Sequence, residues 1–398
     1  MSEYVLADHF FPAGEFFLLI VIVIFTLIIE GNVDKLSMNC SSIKSFTWLI
    51  GETPVTGFSN QLCAVYSYVP AAQLLKANLI IGEMYSRKNF EIKMRQYDKD
   101  LDGKMTLSFK DFFDLQWFQM YWGHYQLKVS LIENFNRCLE SGSLLGRIQF
   151  IQRKKWRSAS AVELLSMVNA SHIAFPPRSG DIFRFKSKFK MLALYNFGSE
   201  NESNGLLFKV HQSIRPSEKI RTAVETILDF LPPKFIVAHL RIEADVIFRD
   251  NEFLNNSDPK FSMALHNIIA TIKNSNCLLG NYTSSLNGTI YIASGVFSGK
   301  EYSLSKSREL VMRRILKDIG FVNVVSSRQF LSVAQNELLP VELFAYIDLE
   351  IARRSVCFIP AHVPSSFSYT AQRIKELDAG IFHTKIASPN RRYSSYFF

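Results

Sequence analysis

Runs of positive charge are missing from this chain of 398 residues. Its formal charge of +9 is spread along the length, in short clusters such as Arg153-Lys154-Lys155 and Arg391-Arg392. A nucleic-acid footprint, which masses basic side chains on one face, is therefore not indicated, and no nucleic-acid partner is expected. Cysteine is also scarce. Cys40, Cys63, Cys138, Cys277 and Cys357 allow at most two intramolecular disulfides, and none has the pair spacing of a metal site. Which of them pair cannot be read from the sequence. Beyond residue 30 no apolar run is long enough to span a bilayer.

Apolar residues are nevertheless plentiful. A hydrophobic fraction of 48% with 34 phenylalanines is enough to bury large cores, and the length fits two domains better than one. Residues Phe16 to Ile29 are apolar apart from Thr26 and are bounded by Glu15 and Glu30. That is short for a spanning helix and right for the apolar core of a signal sequence. An uncleaved signal anchor is preferred to a cleaved signal peptide, because no small-x-small cleavage site follows cleanly; a buried core helix is the blander alternative. Six Asn-x-Ser/Thr triplets, at Asn39, Asn169, Asn201, Asn255, Asn281 and Asn287, agree with passage through the secretory pathway. The expected location is the Golgi or endoplasmic reticulum membrane, with the body of the protein lumenal and the N-terminal segment its membrane contact.

Past a polar stem, the loop Thr56-Gly57-Phe58-Ser59-Asn60 leads into a helical pattern of Leu62, Val65, Val69, Ala72 and Leu75, then an apolar strand from Ala77 to Ile81. The second half alternates more clearly. Strands are expected at 234–240, 289–294, 322–325 and 356–359, with helices at 217–231, 305–319, 340–353 and 370–377. Single helices between strands imply α/β architecture with parallel sheets and helices on both faces. The expected division is a tail and anchor at 1–30, a stem at 31–50, a first α/β domain at 51–225, a second at 226–385 and a tail at 386–398.

Two clusters of polar residues sit where such sheets bind ligands. The apolar run Phe235 to Ala238 ends abruptly in His239, Arg241, Glu243 and Asp245. At the carboxyl end of a parallel strand, a guanidinium can grip a diphosphate through paired, charge-assisted hydrogen bonds. An ordinary ion pair of Arg241 with Glu243 or Asp245 is the alternative. Pro364-Ser365-Ser366-Phe367 stands between the last strand and the last helix. Serines there can cap the helix, or join its N–H groups in holding phosphate oxygens, and Phe367 can pack on a base or in the core.

His239-Leu240-Arg241-Ile242-Glu243-Ala244-Asp245 resembles the His-Leu-Arg motif of the GDP-fucose protein O-fucosyltransferases, and other segments follow in the family's order. Gly57-Phe58-Ser59-Asn60-Gln61 is similar to its Gly-x-x-Asn-Gln loop, and Phe112-Phe113-Asp114-Leu115 to its Phe-Asp-Leu segment. Ile290 to Gly295, Tyr346 to Ile351 and Phe358 to Ser368 resemble its later strands and nucleotide segment. The resemblance implies two facing Rossmann-like domains of GT-B type and an inverting transfer of fucose from GDP-fucose to a hydroxyl of a protein or glycan. It implies no metal and no cofactor beyond the nucleotide-sugar donor. Arg241 inherits the contact to the leaving phosphate, with Glu243 and Asp245 the candidate bases. Asn60, His239, Asp348, Ser365, Ser366 and Phe367 inherit donor binding. The chain departs from the family at Ala361-His362-Val363-Pro364, which replaces a Gly-Asn-Cys segment. A related transferase using another nucleotide sugar, such as a rhamnosyltransferase, and a non-catalytic lectin-like protein are the alternatives.

Asp98-Lys99-Asp100-Leu101-Asp102-Gly103 copies the opening of a calcium-binding EF-hand loop, which raises a further alternative, a calcium-binding secretory protein. The twelfth position is Phe109 where a bidentate Glu is required, so a solvated acidic turn is the favoured reading.

Overall fold

The computed structural model describes residues 46–55, 57–87, 104–140, 148–152, 182–186, 203–242, 259–275, 277, 288–295, 303–331, 339–363 and 365–380. The apolar segment 16–29, the asparagines of all six glycosylation triplets, the acidic loop 98–103 and both Glu243 and Asp245 lie outside them. Among the described residues no helix is long and apolar enough to cross a membrane.

The first half runs β1 (Trp48–Glu52), α1 (Phe58–Leu74), β2 (Asn78–Ile81), β3 (Met84–Arg87), β4 (Lys104–Leu107), α2 (Phe109–Phe112), α3 (Leu115–Gly123), β5 (Val129–Leu131), α4 (Ile132–Glu140), β6 (Ile148–Gln152), β7 (Ile182–Lys186) and α5 (Ser203–Ser213). Five of these strands form one sheet in the order β5-β2-β1-β7-β6, every pair parallel. β3 and β4 make a separate antiparallel ribbon. The sequence reading ends the stem at residue 50 and opens the body with the loop at Thr56. In the fold, Trp48, Leu49 and Ile50 are instead the buried centre of the first sheet. A strand this short, without flanking turn residues, carries little local signal, and its parallel neighbours on both sides make it a strand.

α1 is apolar almost all round, as a helix enclosed by neighbours must be. Leu62, Val65, Tyr66, Tyr68 and Val69 are all buried. Tyr68 lies so close over Gly51 that a Cβ there would sit 2.5 Å from the ring's Cγ. Phe58, at the start of α1, stacks on Tyr346 with centroids 4.5 Å apart and on Phe112 at 5.4 Å. Phe109 belongs to the same aromatic core. The twelfth position of the acidic loop is therefore packed in the interior and offers no ligand to a cation.

The second half runs α6 (Glu218–Leu228), β8 (Ile236–His239), α7 (Pro259–Lys273), β9 (Thr289–Ala293), α8 (Ser303–Asp318), β10 (Asn323–Val325), α9 (Ser327–Phe330), α10 (Val341–Arg354), β11 (Cys357–Ile359) and α11 (Ser366–Asp378). Its four strands form an all-parallel sheet in the order β10-β9-β8-β11. The chain is thus mixed α/β with parallel sheets, as its alternating pattern implies. One continuous core runs from Leu49 through α1, α10 and α11 to Val237 and Tyr291 in the second sheet. Cys277, just beyond α7, is bonded to Cys357 of β11 with Cα atoms 5.7 Å apart. Cys138 is also disulfide-bonded, and Cys63 is free and buried.

Candidate functional site

The strand order fixes where a ligand crevice opens. From β8 the chain builds outward through β9 to β10, then returns to add β11 on the other side of β8. The connections leaving β8 and β11 therefore part in opposite directions, which opens a crevice at the carboxyl ends of these two strands. His239 is the last residue of β8, and the register pairs Ile359 with Ala238 and His239 with Ala293. Arg241 follows two residues later, and the loop 360–365 leaves β11 into α11.

His239 is buried and locked in place. Its Nδ1 lies 2.7 Å from the Ser368 hydroxyl, and that same oxygen accepts the Ala361 N–H at 2.9 Å. The Ser368 hydroxyl thus bridges the Ala361 N–H and the His239 ring and fixes the ring's orientation. Burial, the Arg241 charge and His362 hold the His239 pKa well below the ordinary histidine range. The ring is thus a neutral hydrogen-bonding group at neutral pH. Phe367 covers it, with centroids 4.7 Å apart and planes tilted by 50°.

Ser365 is the residue before α11, but its side chain makes no capping bond, and its buried Oγ has no partner among the described residues. The first-turn N–H groups of α11, starting at Ser366, are left uncapped by it, and the helix dipole adds partial positive charge there. The other helix start in this region is different. At α1 the Phe58 N–H donates to Glu342 Oε2 at 2.7 Å, and Glu342 is 1% exposed. A carboxylate of the chain itself thus fills the amino end of α1, leaving α11 as the end open to an external anion.

Asn60, in the first turn of α1, is placed at the same end. α1 and α11 run side by side in the same direction: Cys63 meets Thr370, and Tyr66 connects through His211 to Asp378. One turn before Cys63 is Asn60, and one turn before Thr370 are Ser366 and Phe367. Asn60 is buried, and its side-chain oxygen has no partner among the described residues. The sequence-expected set of Asn60, His239, Arg241, Ser365, Ser366 and Phe367 is therefore gathered in one region.

No protein-family profile matches the sequence, and no curated protein matches it. Among solved structures, POFUT1 in complex with GDP-fucose superposes with a TM-score of 0.46 at 11% identity, over 86% of this chain and 96% of that one. The fucosyltransferase NodZ from Bradyrhizobium gives 0.44 at 14% identity, over 82% and 92%. A third superposition, on POFUT1 in complex with GDP, gives 0.46 at 14% identity over 86% and 96%.

Asp348 is placed differently from the rest of the expected set. It is buried in the middle of α10, and its Oδ1 accepts the Tyr291 hydroxyl at 2.6 Å. Tyr291 is paired with Val237, two residues short of His239. This bond fastens α10 to the middle of β9, beneath the crevice. Burial, followed by the Asp348 charge, raises the Tyr291 pKa well above its ordinary value, so the phenol stays protonated as the donor.

His362 is a residue that the sequence reading passed over. It stands in the loop between β11 and α11, its Nδ1 is buried without a partner among the described residues, and burial lowers its pKa to about 4. The signal was its place in the departing Ala361-His362-Val363-Pro364 segment, which has no meaning until the strand order puts that loop at the crevice. Among the described residues no group of three or more His, Cys, Asp or Glu is arranged to hold a metal ion.

Proposed function

We propose that the protein is a glycosyltransferase that moves fucose from GDP-fucose to a hydroxyl of a protein or glycan acceptor. The observation that carries the transferase reading is that adjacent, parallel β8 and β11 bring the segment with Arg241 and the amino end of α11, uncapped by Ser365, to the same edge of the second sheet. Neutral His239 and the unpartnered Ser365 hydroxyl stand beside them. These are donors fixed before a ligand arrives, and donors of this kind suit a diphosphate. Fucose and guanosine enter through the resemblance of residues 239–245 and 358–368 to the O-fucosyltransferases.

Breaking a glycosidic bond to a nucleotide leaves negative charge on the departing diphosphate. Arg241 and the α11 N–H groups are suited to meet that charge, and fixed donors stabilise it more in the transition state than in the ground state. Neutral His239 can hydrogen-bond a ligand without adding a second positive charge beside Arg241. Phe367, packed on the His239 ring, offers an apolar surface to the nucleotide, and Asn60 approaches from α1. Glu243 or Asp245 would take the acceptor's proton. The site is proposed to lie in the lumen of the secretory pathway, with the segment 16–29 as its anchor.

The test is release of GDP or UDP from a panel of nucleotide sugars by the full chain. GDP-fucose is expected to be turned over, and Arg241→Ala to lower the rate by about 100-fold or more without changing the melting temperature. Full activity in that variant, or no turnover of any nucleotide sugar, would overturn the assignment.

A further inference from the structure

A second cavity lies at the other end of α11. That helix runs from Ser366 at the crevice to Asp378, about 18 Å along its axis. There, a cavity of about 540 Å³ is lined by Gln212 and Arg215 from the end of α5 and the turn after it, by Glu350, Arg353 and Arg354 of α10, and by Asp378. Phe208, Ile214 and Leu377 give it an apolar wall. Its size falls in the range of small-molecule sites.

The polar groups of this wall are unequally satisfied. Asp378 accepts Arg353 Nε at 2.5 Å and a second Arg353 nitrogen at 2.6 Å, and lies 2.8 Å from His211 Nε2. Glu350 accepts Arg354 at 2.7 Å. Arg353 also lies 3.6 Å from Glu350, so both carboxylates are answered by arginine. Arg215 has no carboxylate partner among the described residues; its guanidinium lies over the Trp117 ring, 3.2 Å from the centroid. Stacking of this kind fixes the plane of the guanidinium and leaves its in-plane N–H groups available.

Gln212 is held in a complementary way. The Tyr121 hydroxyl donates to its Oε1 at 3.1 Å, and Trp117 Nε1 donates to its main-chain carbonyl at 3.2 Å. The amide oxygen is taken, and the amide N–H groups have no partner among the described residues. What remains for a ligand is a set of donors with one uncompensated positive charge. The carbonyl ends of α5, α10 and α11 converge here and add partial negative charge, but His211, Arg353 and Arg354 stand in their last turns to answer it.

We propose that this cavity is a second binding site, for a carboxylate-bearing ligand of one- or two-sugar size, held by Arg215 on Trp117 together with Gln212 and Arg354. It is independent of the nucleotide reading, since none of its residues belongs to the crevice at β8 and β11. Calorimetric titration of the full chain with glucuronate, with glucose as the neutral counterpart, tests it. Glucuronate is expected to bind at least about tenfold tighter than glucose, because hydrogen bonds to a charged group are the stronger kind. That advantage should vanish in Arg215→Gln, whose exposed position makes the change compatible with folding, and GDP binding should be unchanged there. In Arg241→Gln the reverse is expected, so the two sites fail separately. N-acetylglutamate binding as well as glucuronate would show that the carboxylate alone is read, and weaker binding that the sugar ring is read too; either supports the site. Equal affinity for glucose and glucuronate, an unchanged glucuronate affinity in Arg215→Gln, or no binding of either acid at millimolar concentration would overturn it.

Discussion

Lowering the pH from 7 to 5 is expected to weaken the fold through two histidines at the crevice. His239 is held well below the ordinary histidine pKa by burial, Arg241 and His362, and burial brings His362 to about 4. In the unfolded chain both titrate near 6.5. Between these values the unfolded state binds more protons than the folded one, so stability falls as the pH falls. The contribution is complete above pH 6.5, and it is lost as the pH falls through the folded-state value, about 4 for His362 and well below the ordinary histidine range for His239. The full linkage slope is about 1.4 kcal/mol per pH unit for each histidine. Over the interval from 6.5 to 5 that slope sets a ceiling of ~2 kcal/mol for a fully buried histidine. His362 is partly solvated, so about half as much is expected from it. The Asp378 carboxyl, although burial raises its pKa, is held below its ordinary value by His211 and Arg353, so it titrates below this window. The ceiling for the two together, about 3 kcal/mol, is large against the ~5–15 kcal/mol of a typical domain. Urea unfolding followed by far-UV circular dichroism at pH 7, 6 and 5 measures it, with His362→Gln as the comparison. The variant should lose about 1 kcal/mol of the decline. If wild type and variant fall in parallel, or if wild type is equally stable at pH 7 and 5, the assignment of neutral histidines at the crevice is wrong.

Two further perturbations test the scaffold. Gly51→Ala places a methyl 2.5 Å from the buried Tyr68 ring, whose near edge has nowhere to move, so a loss of about 1–3 kcal/mol is expected in the urea midpoint, and an unchanged midpoint would contradict the packing of α1 on β1. Cys357→Ser removes a crosslink closing a separation of 80 residues, for which the chain-entropy relation gives an upper value of about 4–5 kcal/mol. A melting temperature insensitive to that change would mean that the bond restricts the unfolded chain little.

Legibility in the sequence followed the range of the interaction. Helices such as α6, α8 and α10 were readable because Ser217, Gly320 and Pro340 punctuate amphipathic patterns within a few residues. The apolar runs of β8 and β9 were readable for the same reason. β1 was missed: its residues touch β2 and β7, some 30 and 130 positions away, and nothing nearby announces it. α11 begins at Ser366 rather than near Thr370, because its first turn is held by tertiary contacts of Ser368 and Phe367 with His239.

By itself, the sequence determined the α/β class, the abrupt end of an apolar strand at His239, and a serine pair, Ser365-Ser366, between the last strand and the last helix. All three are local features of the chain. Only the tertiary structure decided that β8 and β11 are neighbours, and that adjacency turns two separate motifs into one crevice. It also paired Cys277 with Cys357, bound the Asp348 carboxylate to Tyr291, and filled the amino end of α1 with Glu342 so that α11 alone of the two helices is open to an anion. Each of these depends on which distant residues a side chain meets, and a charge or a hydroxyl has a role only once its partner is fixed.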